Sequence, residues 1–448
     1  MRQGSGKGSG PRAQGTVRGR PKSAGPTLSA EEAAAKVTPA RMAAFAILKL
    51  VGEGKGHSDE LLHSALTDAL SPEDHNLATA LVMGVLRWQI ALDARFKTLL
   101  QRPEQRLAEP VALALRLGAF QLLHMDRIPA HAALSESVEL CRAAGEPHAT
   151  GMVNAVLRKL AAAQKPGPRV FESTAAFAER LGHPRWLVER WVAAYGREAA
   201  LAICEADQQE HADTSIFVQT GGDLLRMDDG SRLVAELAAA AAPGARQMWD
   251  CCAAPGGKTL ILALREPEAE LLATDVSAKR TAQMQARLKR FAYAEQVNCS
   301  VADATKPTKD DTKFDLILCD VPCSGTGTLA GNPEIRHRLK PEEFARQAER
   351  QRAILKGALS RLAPGGRLIY STCSLEPEEN EQVVDAILAG ENFQRVPVDG
   401  ILEALRAAGA FRDGFDPQSA VRDGALRTLP GVHPCDGFFA VVLESISG

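Results

Sequence analysis

The chain has 448 residues, 53 basic and 55 acidic side chains, a formal charge of −2, and 45% hydrophobic and 24% charged residues. These values predict a soluble globular protein of two or three domains, each with its own core. They exclude a small disulfide scaffold, a wholly disordered chain and a small, strongly basic nucleic-acid module, so positive charge that meets a polyanion must be local.

Residues 1–36 are rich in Gly, Ser, Pro, Arg and Lys; 1–28 carry Arg2, Lys7, Arg12, Arg18, Arg20 and Lys22 and no acid. Such a stretch buries too little apolar surface to order itself and reads as a disordered basic tail. No apolar signal core is found there, and no run of about 18 apolar residues predicts a membrane span. Residues 37–163 predict an all-helical bundle. Leu77, Leu81, Val85 and Trp88 follow Ser71-Pro72 at helical spacing, and Leu113, Leu117 and Phe120 form a second stripe. This part reads as a binding or docking module. His124 and His131 are expected to be structural or surface residues. Residues 164–240 form a connector in which Trp186, Leu187 and Trp191 share a helix side.

Residues 241–448 switch to alternating strands and helices, which predicts a doubly wound, mostly parallel sheet of seven strands with ligands at the strands' carboxyl ends. Strands are expected at Gln247–Cys252, Leu271–Asp275, Val297–Val301, Phe314–Asp320, Arg367–Thr372 and from Phe438 onward. The loop after the first is Asp250-Cys-Cys-Ala-Ala-Pro-Gly-Gly-Lys-Thr259. It fails the P-loop pattern, because Cys252 stands at the first glycine position, and it also fails G-x-G-x-x-G. A nucleoside-type loop followed by acids remains. Asp275 ends the second strand, where a carboxylate can accept ribose hydroxyls, and Asp303 ends the third.

The nine cysteines include no C-x-x-C pair, so neither a zinc ribbon nor any other metal site is expected, and free thiols fit a reducing cytoplasm. Cys299 and Cys319 suit packing. Cys323, in Asp320-Val-Pro-Cys-Ser-Gly-Thr-Gly327, and Cys373, in Ser371-Thr-Cys-Ser374, lie in polar loops at neighbouring strand ends and point to chemistry instead.

Together with His433-Pro-Cys-Asp-Gly-Phe-Phe439, these motifs resemble the RsmB/Sun-type branch of the Nop2/NSUN/RsmB RNA cytosine-5 methyltransferases. The helical part, through Ile128–Val138 and Val153–Arg158, is similar to the NusB-like RNA-binding domain of that branch. The resemblance implies an all-α NusB-like bundle before a Rossmann-like catalytic domain that uses S-adenosylmethionine. It implies RNA, and small-subunit rRNA in particular, as partner, with a cytoplasmic monomer expected and no membrane. Its cofactor loop falls on Cys252, Ala253, Ala254, Pro255, Gly256, Gly257 and Lys258, with Asp275, Asp303 and Asp320 as the acids and Asp250 as a further candidate. It makes Cys373 the thiolate that adds to cytosine C6. Cys323 then assists loss of the C5 proton and release, Asp320 holds N3, and Lys258 brings positive charge beside the base. The stretch between Cys204 and Asp228 is shorter than the RNA-binding subdomain of relatives.

A non-catalytic RNA-binding or ribosome-assembly protein that keeps the fold is the alternative. A DNA cytosine-5 methyltransferase with Cys323 as nucleophile is a third. Local basic charge is present: Lys279, Arg280, Arg287, Lys289 and Arg290 fall in 277–294 with no acid, and 332–361 hold eight Lys or Arg against four Glu. Arg336 and Arg338 are the expected phosphate contacts.

Overall fold

The structure is a computed structural model that describes residues 29–163, 172–209, 215–218, 226–306, 312–390 and 392–446. The basic tail up to residue 28, and residues 210–214 and 219–225 of the shortened stretch, lie outside the described residues.

Helices fill 29–163. A short one, Ala30–Ala34, falls inside the segment expected to be a tail. Ser29 Oγ accepts from the Glu32 N–H at 3.1 Å and Glu32 Oε2 accepts from the Ser29 N–H at 2.8 Å, so the two free ends satisfy each other. Pro39–Gly52, Pro72–Lys97, Glu109–His124, Ala130–Ala143 and Thr150–Ala162 then bury one apolar core. Ser71 caps the longest of them, accepting from the Asp74 N–H at 3.1 Å. That helix, Pro72–Lys97, is long and apolar enough to cross a membrane, against the expectation from the sequence. Its Leu81, Val82 and Val85 are nevertheless fully buried against the other helices, as in any core helix. Gly84 lets it approach Glu109–His124: a Cβ there would lie 1.9 Å from the Phe120 ring. His124 stacks on Trp88 with ring centroids 4.3 Å apart.

The sheet contains β1 (Gln247–Asp250), β2 (Glu270–Asp275), β3 (Val297–Val301), β4 (Phe314–Asp320), β5 (Leu362–Thr372), β6 (Phe393–Val396), β7 (Val421–Arg422), β8 (Ala425–Arg427) and β9 (Phe439–Ser445). Its order is β3-β2-β1-β4-β5-β9-β8-β7, with β6 also on β9. β1 to β5 are parallel, while β9 runs antiparallel to β5, β6 and β8. The sheet is therefore mixed and nine-stranded, not seven-stranded and mostly parallel. The additional strands are short or half-exposed: β7 has two residues, β8 three, and β6 reads Phe-Gln-Arg-Val without an apolar run. The order reverses between β1 and β4, which opens a crevice at the carboxyl ends of β1, β2, β4 and β5.

Arg336 and Arg338 do not face solvent as phosphate contacts; both hold the two domains together. Arg336 is 2% exposed. Its guanidinium donates to the carbonyls of Arg87 (3.2 Å), Gly182 (3.3 Å), Leu329 (3.3 Å) and Asp207 (3.4 Å). Arg338 donates to the Val51 and Gly56 carbonyls at 2.8 and 2.7 Å. Beside them His337 Nε2 meets the Leu86 carbonyl at 2.7 Å, and burial pushes this imidazole down to about 4, so it stays neutral. Glu334 accepts from Ser58 N and Oγ at 3.1 and 2.9 Å. One turn of the α/β domain, Ile335–Arg338, thus adds donors to carbonyls of the helical domain and the connector, among them Arg87 O, which also accepts from Gln208 Nε2 at 3.2 Å. Arg336→Leu should cost about 2 kcal/mol or more, because it removes four buried hydrogen bonds from a charged donor at the joint. Thermal unfolding should show a midpoint several degrees lower; an unchanged midpoint would count against this joint.

Candidate active site

The parallel register lines up the residues that end each strand. Asp250 pairs with Leu318 and Ala273, Asp275 with Val301, and Asp320 with Ser371. These ends surround one cleft lined by Cys252, Ala254, Asp275, Asp303, Asp320, Cys323 and Cys373, with Val276, Arg280 and Arg350 at its sides. Of the residues expected from the sequence, those seven meet on one surface. Ala253, Pro255, Gly256, Gly257 and Lys258 stand behind it as the supporting turn.

At one end sit the two acids of the nucleoside type. Asp275 is nearly buried; its Oδ1 accepts from the Ser277 N–H at 2.9 Å and its Oδ2 lies 3.3 Å from Arg280. Arg280 also donates to the Ala254 carbonyl at 2.6 Å, which ties the loop to this acid. Asp303 accepts from the Thr305 hydroxyl at 2.7 Å and N–H at 3.0 Å. Those bonds, the hydroxyl first, together with Lys306, hold its carboxyl below the usual range despite some desolvation. The turn between them has a cis Ala254–Pro255 bond and a left-handed Gly256 (φ 97°), where a Cβ would lie 3.0 Å from Met284. Ala253 N–H anchors it to the Thr274 carbonyl at 2.8 Å.

At the other end Cys323 and Cys373 face each other with Sγ atoms 3.3 Å apart. Their mutual hydrogen bond first, then burial and the neighbouring charges of Cys373 and Glu379, push the Cys323 thiol well above its ordinary range. Next to the pair, Lys258 Nζ lies 2.7 Å from Asp320 Oδ2 and donates to Ser231 Oγ at 2.7 Å. Its ammonium sits 5.0 Å from the centroid of the Phe438 ring. Ser371 Oγ donates to Asp320 Oδ1 at 2.8 Å. Asp320 is thus held on both oxygens while a quarter of its side chain still reaches the cleft.

Sequence reasoning missed Ser231, Ser371, Arg350 and Glu379. Ser231 follows the helix cap Asp228 and offers no signal of its own; only the fold brings it to Lys258. Ser371 was readable, since it stands opposite Asp320 on the next parallel strand. Apart from the Phe438 ring, the His433–Phe439 stretch supports the site from behind, largely through its backbone. Gly437 N–H donates to the Gly327 carbonyl at 2.8 Å, and a Cβ on Gly327 would lie 2.2 Å from Gly437 O, so the crossing needs glycine. Asp228 accepts from the Asp436 N–H at 3.1 Å, and His433 Nδ1 accepts from the Leu429 N–H at 2.9 Å. Cys251, at the floor of the cleft, packs on the buried Cys319 with Sγ atoms 3.1 Å apart. Among the described residues no group of three or more His, Cys, Asp or Glu could hold a metal ion.

Asp250 lies under the loop, fully buried, with Thr259 Oγ1 donating to its Oδ2 at 2.7 Å. Burial pushes its carboxyl up to about 7; the Thr259 bond opposes this, the Asp320 charge adds to it, and Lys258 opposes it. The folded state therefore binds a proton that the unfolded state releases above about 4, and its contribution to stability falls as pH rises from about 4 to 7. Asp250→Asn keeps the Thr259 acceptor and removes the charge. Urea unfolding should show the variant no more stable than wild type near pH 4 and more stable by at most about 3–4 kcal/mol near pH 8. A difference independent of pH would contradict this assignment.

A family model described as 16S rRNA methyltransferase RsmB/F matches residues 238–444, and the NusB family model matches residues 38–162. The ribosomal RNA small subunit methyltransferase B of Xanthomonas campestris pv. campestris is 33% identical, over 94% of this chain and 100% of that protein. The probable ribosomal RNA small subunit methyltransferase B of Bacillus subtilis is 30% identical, over 90% of this chain and 98% of that protein. The crystal structure of PH0851 has the same fold, with a TM-score of 0.67 at 22% identity over 91% of this chain and 99% of that one. With a catalytic domain of this kind behind a NusB-family helical domain, and such identity along nearly its whole length, the chain belongs to the RsmB/F family of rRNA methyltransferases.

Proposed function

We propose that the protein is an S-adenosylmethionine-dependent cytosine-5 methyltransferase of small-subunit rRNA, working in the cytoplasm. The observation that carries this is the thiol pair Cys323–Cys373, 3.3 Å apart, beside the Lys258–Asp320 ion pair at the end of an acid-lined cleft. Relatives bearing the name rRNA small subunit methyltransferase B support the rRNA substrate. In this reading 37–163 bind RNA, 164–240 connect, and 241–448 catalyse.

The cleft's donor set fits the cofactor. Asp275 and Asp303 offer carboxylate acceptors at successive strand ends, suited to ribose hydroxyls and an exocyclic amine, and Val276 and Ala254 offer apolar surface between them. When bound, the cofactor supplies an electrophilic methyl group. Cytosine C5 is a poor nucleophile, and the chain's own residues correct this. Cys373, as thiolate, adds to C6 and moves electron density to C5. Asp320 faces N3 and relays to it a proton from the Lys258 ammonium as the thiolate adds, which N3 gives back when the adduct breaks down. Lys258 fixes Asp320, and its positive charge raises the electrostatic potential around the base, which stabilises the electron density pushed into it. Once C5 carries the methyl group, the C6–S bond breaks with its electron pair returning to Cys373, the Cys323 thiol gives its proton to that departing sulfur 3.3 Å away, and Cys323 takes the C5 proton in exchange as the C5–C6 double bond re-forms. The base must leave its stack to enter the cleft.

A non-catalytic protein has no use for two facing thiols and a fixed Lys–Asp pair in one cleft. The DNA-type role, with Cys323 as nucleophile, is separated by experiment. With labelled S-adenosylmethionine and small-subunit rRNA, Cys373→Ala should lose at least about 10³-fold in rate and form no adduct. Cys323→Ala should trap a protein–RNA adduct on a denaturing gel. The opposite pattern would reverse the roles, and full activity in both would end the covalent mechanism.

A further inference from the structure

We propose that Glu379 is the positioning residue of the cysteine pair: its buried carboxylate clamps the loop that carries Cys323 to the loop that carries Cys373. The inference rests on the catalytic reading above and deepens it.

Glu379 is fully buried. Its Oε1 accepts from the Ser324 N–H at 2.9 Å and from Gln351 Nε2 at 3.0 Å. Its Oε2 accepts from Ser374 Oγ at 2.5 Å and from Ser324 Oγ. Ser324 and Ser374 are the residues immediately after the two cysteines, and their hydroxyls lie 3.1 Å apart. Gln351 also donates to the carbonyl of Pro322, the residue just before Cys323, at 2.9 Å. The acceptor thus grips Cys323 from both sides and Cys373 from one. Four neutral donors fill the four lone-pair directions of one carboxylate, which is what keeps a buried anion in place.

The clamp is itself fixed. Tyr370 Oη donates to the Glu379 carbonyl at 2.6 Å, and Asn380 Nδ2 donates to the Ser374 carbonyl at 2.9 Å. Asp320 also joins the two loops, through Ser371, but from within the Cys323 loop; Glu379 holds the residues that directly follow the cysteines. Glu379 does not line the cleft, so it acts on the reaction only through the cysteines.

The test separates frame from fold and from chemistry. Glu379→Gln keeps an oxygen for Ser324 N–H and Gln351, and its amide can donate to the two hydroxyls, which turn to accept. Glu379→Ala removes the frame. We expect kcat to fall at least about 10²-fold in Glu379→Ala and less than about 10-fold in Glu379→Gln, with KM for S-adenosylmethionine within about twofold of wild type. The second readout needs no activity. Diamide, a thiol oxidant, removes two electrons and two protons from a close thiol pair and is reduced to the hydrazine, leaving a disulfide. Peptide mapping should find the Cys323–Cys373 disulfide formed at least about 10-fold more slowly in Glu379→Ala than in wild type.

Wild-type kcat and wild-type cross-linking in a folded Glu379→Ala would overturn the proposal, as would a Glu379→Gln as inactive as Glu379→Ala. If Glu379→Ala does not fold, the Ser324→Ala/Ser374→Ala double variant carries the test: slower turnover and slower cross-linking support the clamp, and wild-type values overturn it. A wild-type chain that cross-links but does not methylate cytosine defeats the proposed function, while the cross-linking comparison still decides the clamp.

Discussion

The contact on which the site depends is the ion pair of Lys258 with Asp320. Lys258 starts the helix after β1, and Asp320 ends β4, so the pair bridges the point where the strand order reverses. Both groups are largely removed from water, and such a pair is stable only when its remaining donors and acceptors are met. They are met from three directions. Ser231 comes from the helix Asp229–Ala241, Ser371 from β5, and the Phe438 ring from the approach to β9. Each of those elements must therefore be in place before the pair forms, and the pair in turn fixes Asp320 three residues before Cys323. The mixed part of the sheet earns its place here: without β9 antiparallel to β5, neither Phe438 nor the Gly437–Gly327 crossing would reach the site.

The chemistry visible in the sequence is the part that lies at the ends of regular strands. A strand's end is readable because its apolar run stops, and Asp250, Asp275 and Asp320 stand at those stops. Once the sheet is parallel, their carboxyl ends fall together without further information. The same logic brought Cys323 and Cys373 side by side. Contacts that depend on how far a loop crosses were not readable. Ser231 meets Lys258 from 27 residues away and Ser324 meets Glu379 from 55, with no periodic pattern linking either pair. Strands of two to four residues, such as β6, β7 and β8, carry too few side chains to show a period, which is why the sheet appeared smaller than it is.

Charge shows the limit of reading a sequence by composition. Residues 332–361 look basic, and a basic stretch near a catalytic loop suggests phosphate. Inside the folded chain its first two arginines face carbonyls instead. A guanidinium offers five donors in a fixed plane, so it can close several buried helix and loop ends at once, a task for which a lysine has the wrong shape. Arg336 does this where the helical domain, the connector and the catalytic domain meet. Burial lowers its pKa to about 10, still far enough above neutrality that it remains charged there.

With those two arginines committed to the joint, the positive charge left for a polyanion lies elsewhere, and its position follows from the same structure. Lys279, Arg287, Lys289 and Arg290 are exposed along and just beyond the helix Ala278–Leu288, on the β2 side of the sheet. Arg350 is exposed on the helix Glu342–Leu359 and lines the cleft. Of these basic residues Arg350 lines the cleft itself, and the first group adjoins Arg280, which lines it beside Asp275. On the proposed function, a strand gripped at both flanks would be held across the opening, and the base between them is the one that can turn inward. Phosphate contacts of this kind set register and carry no sequence information, so on that proposal the choice of target base would come from elsewhere in the chain. The joint that uses Arg336 and Arg338 fixes the helical domain at a set distance from the thiols; on the proposed function, RNA held by the first would present a defined nucleotide to the second.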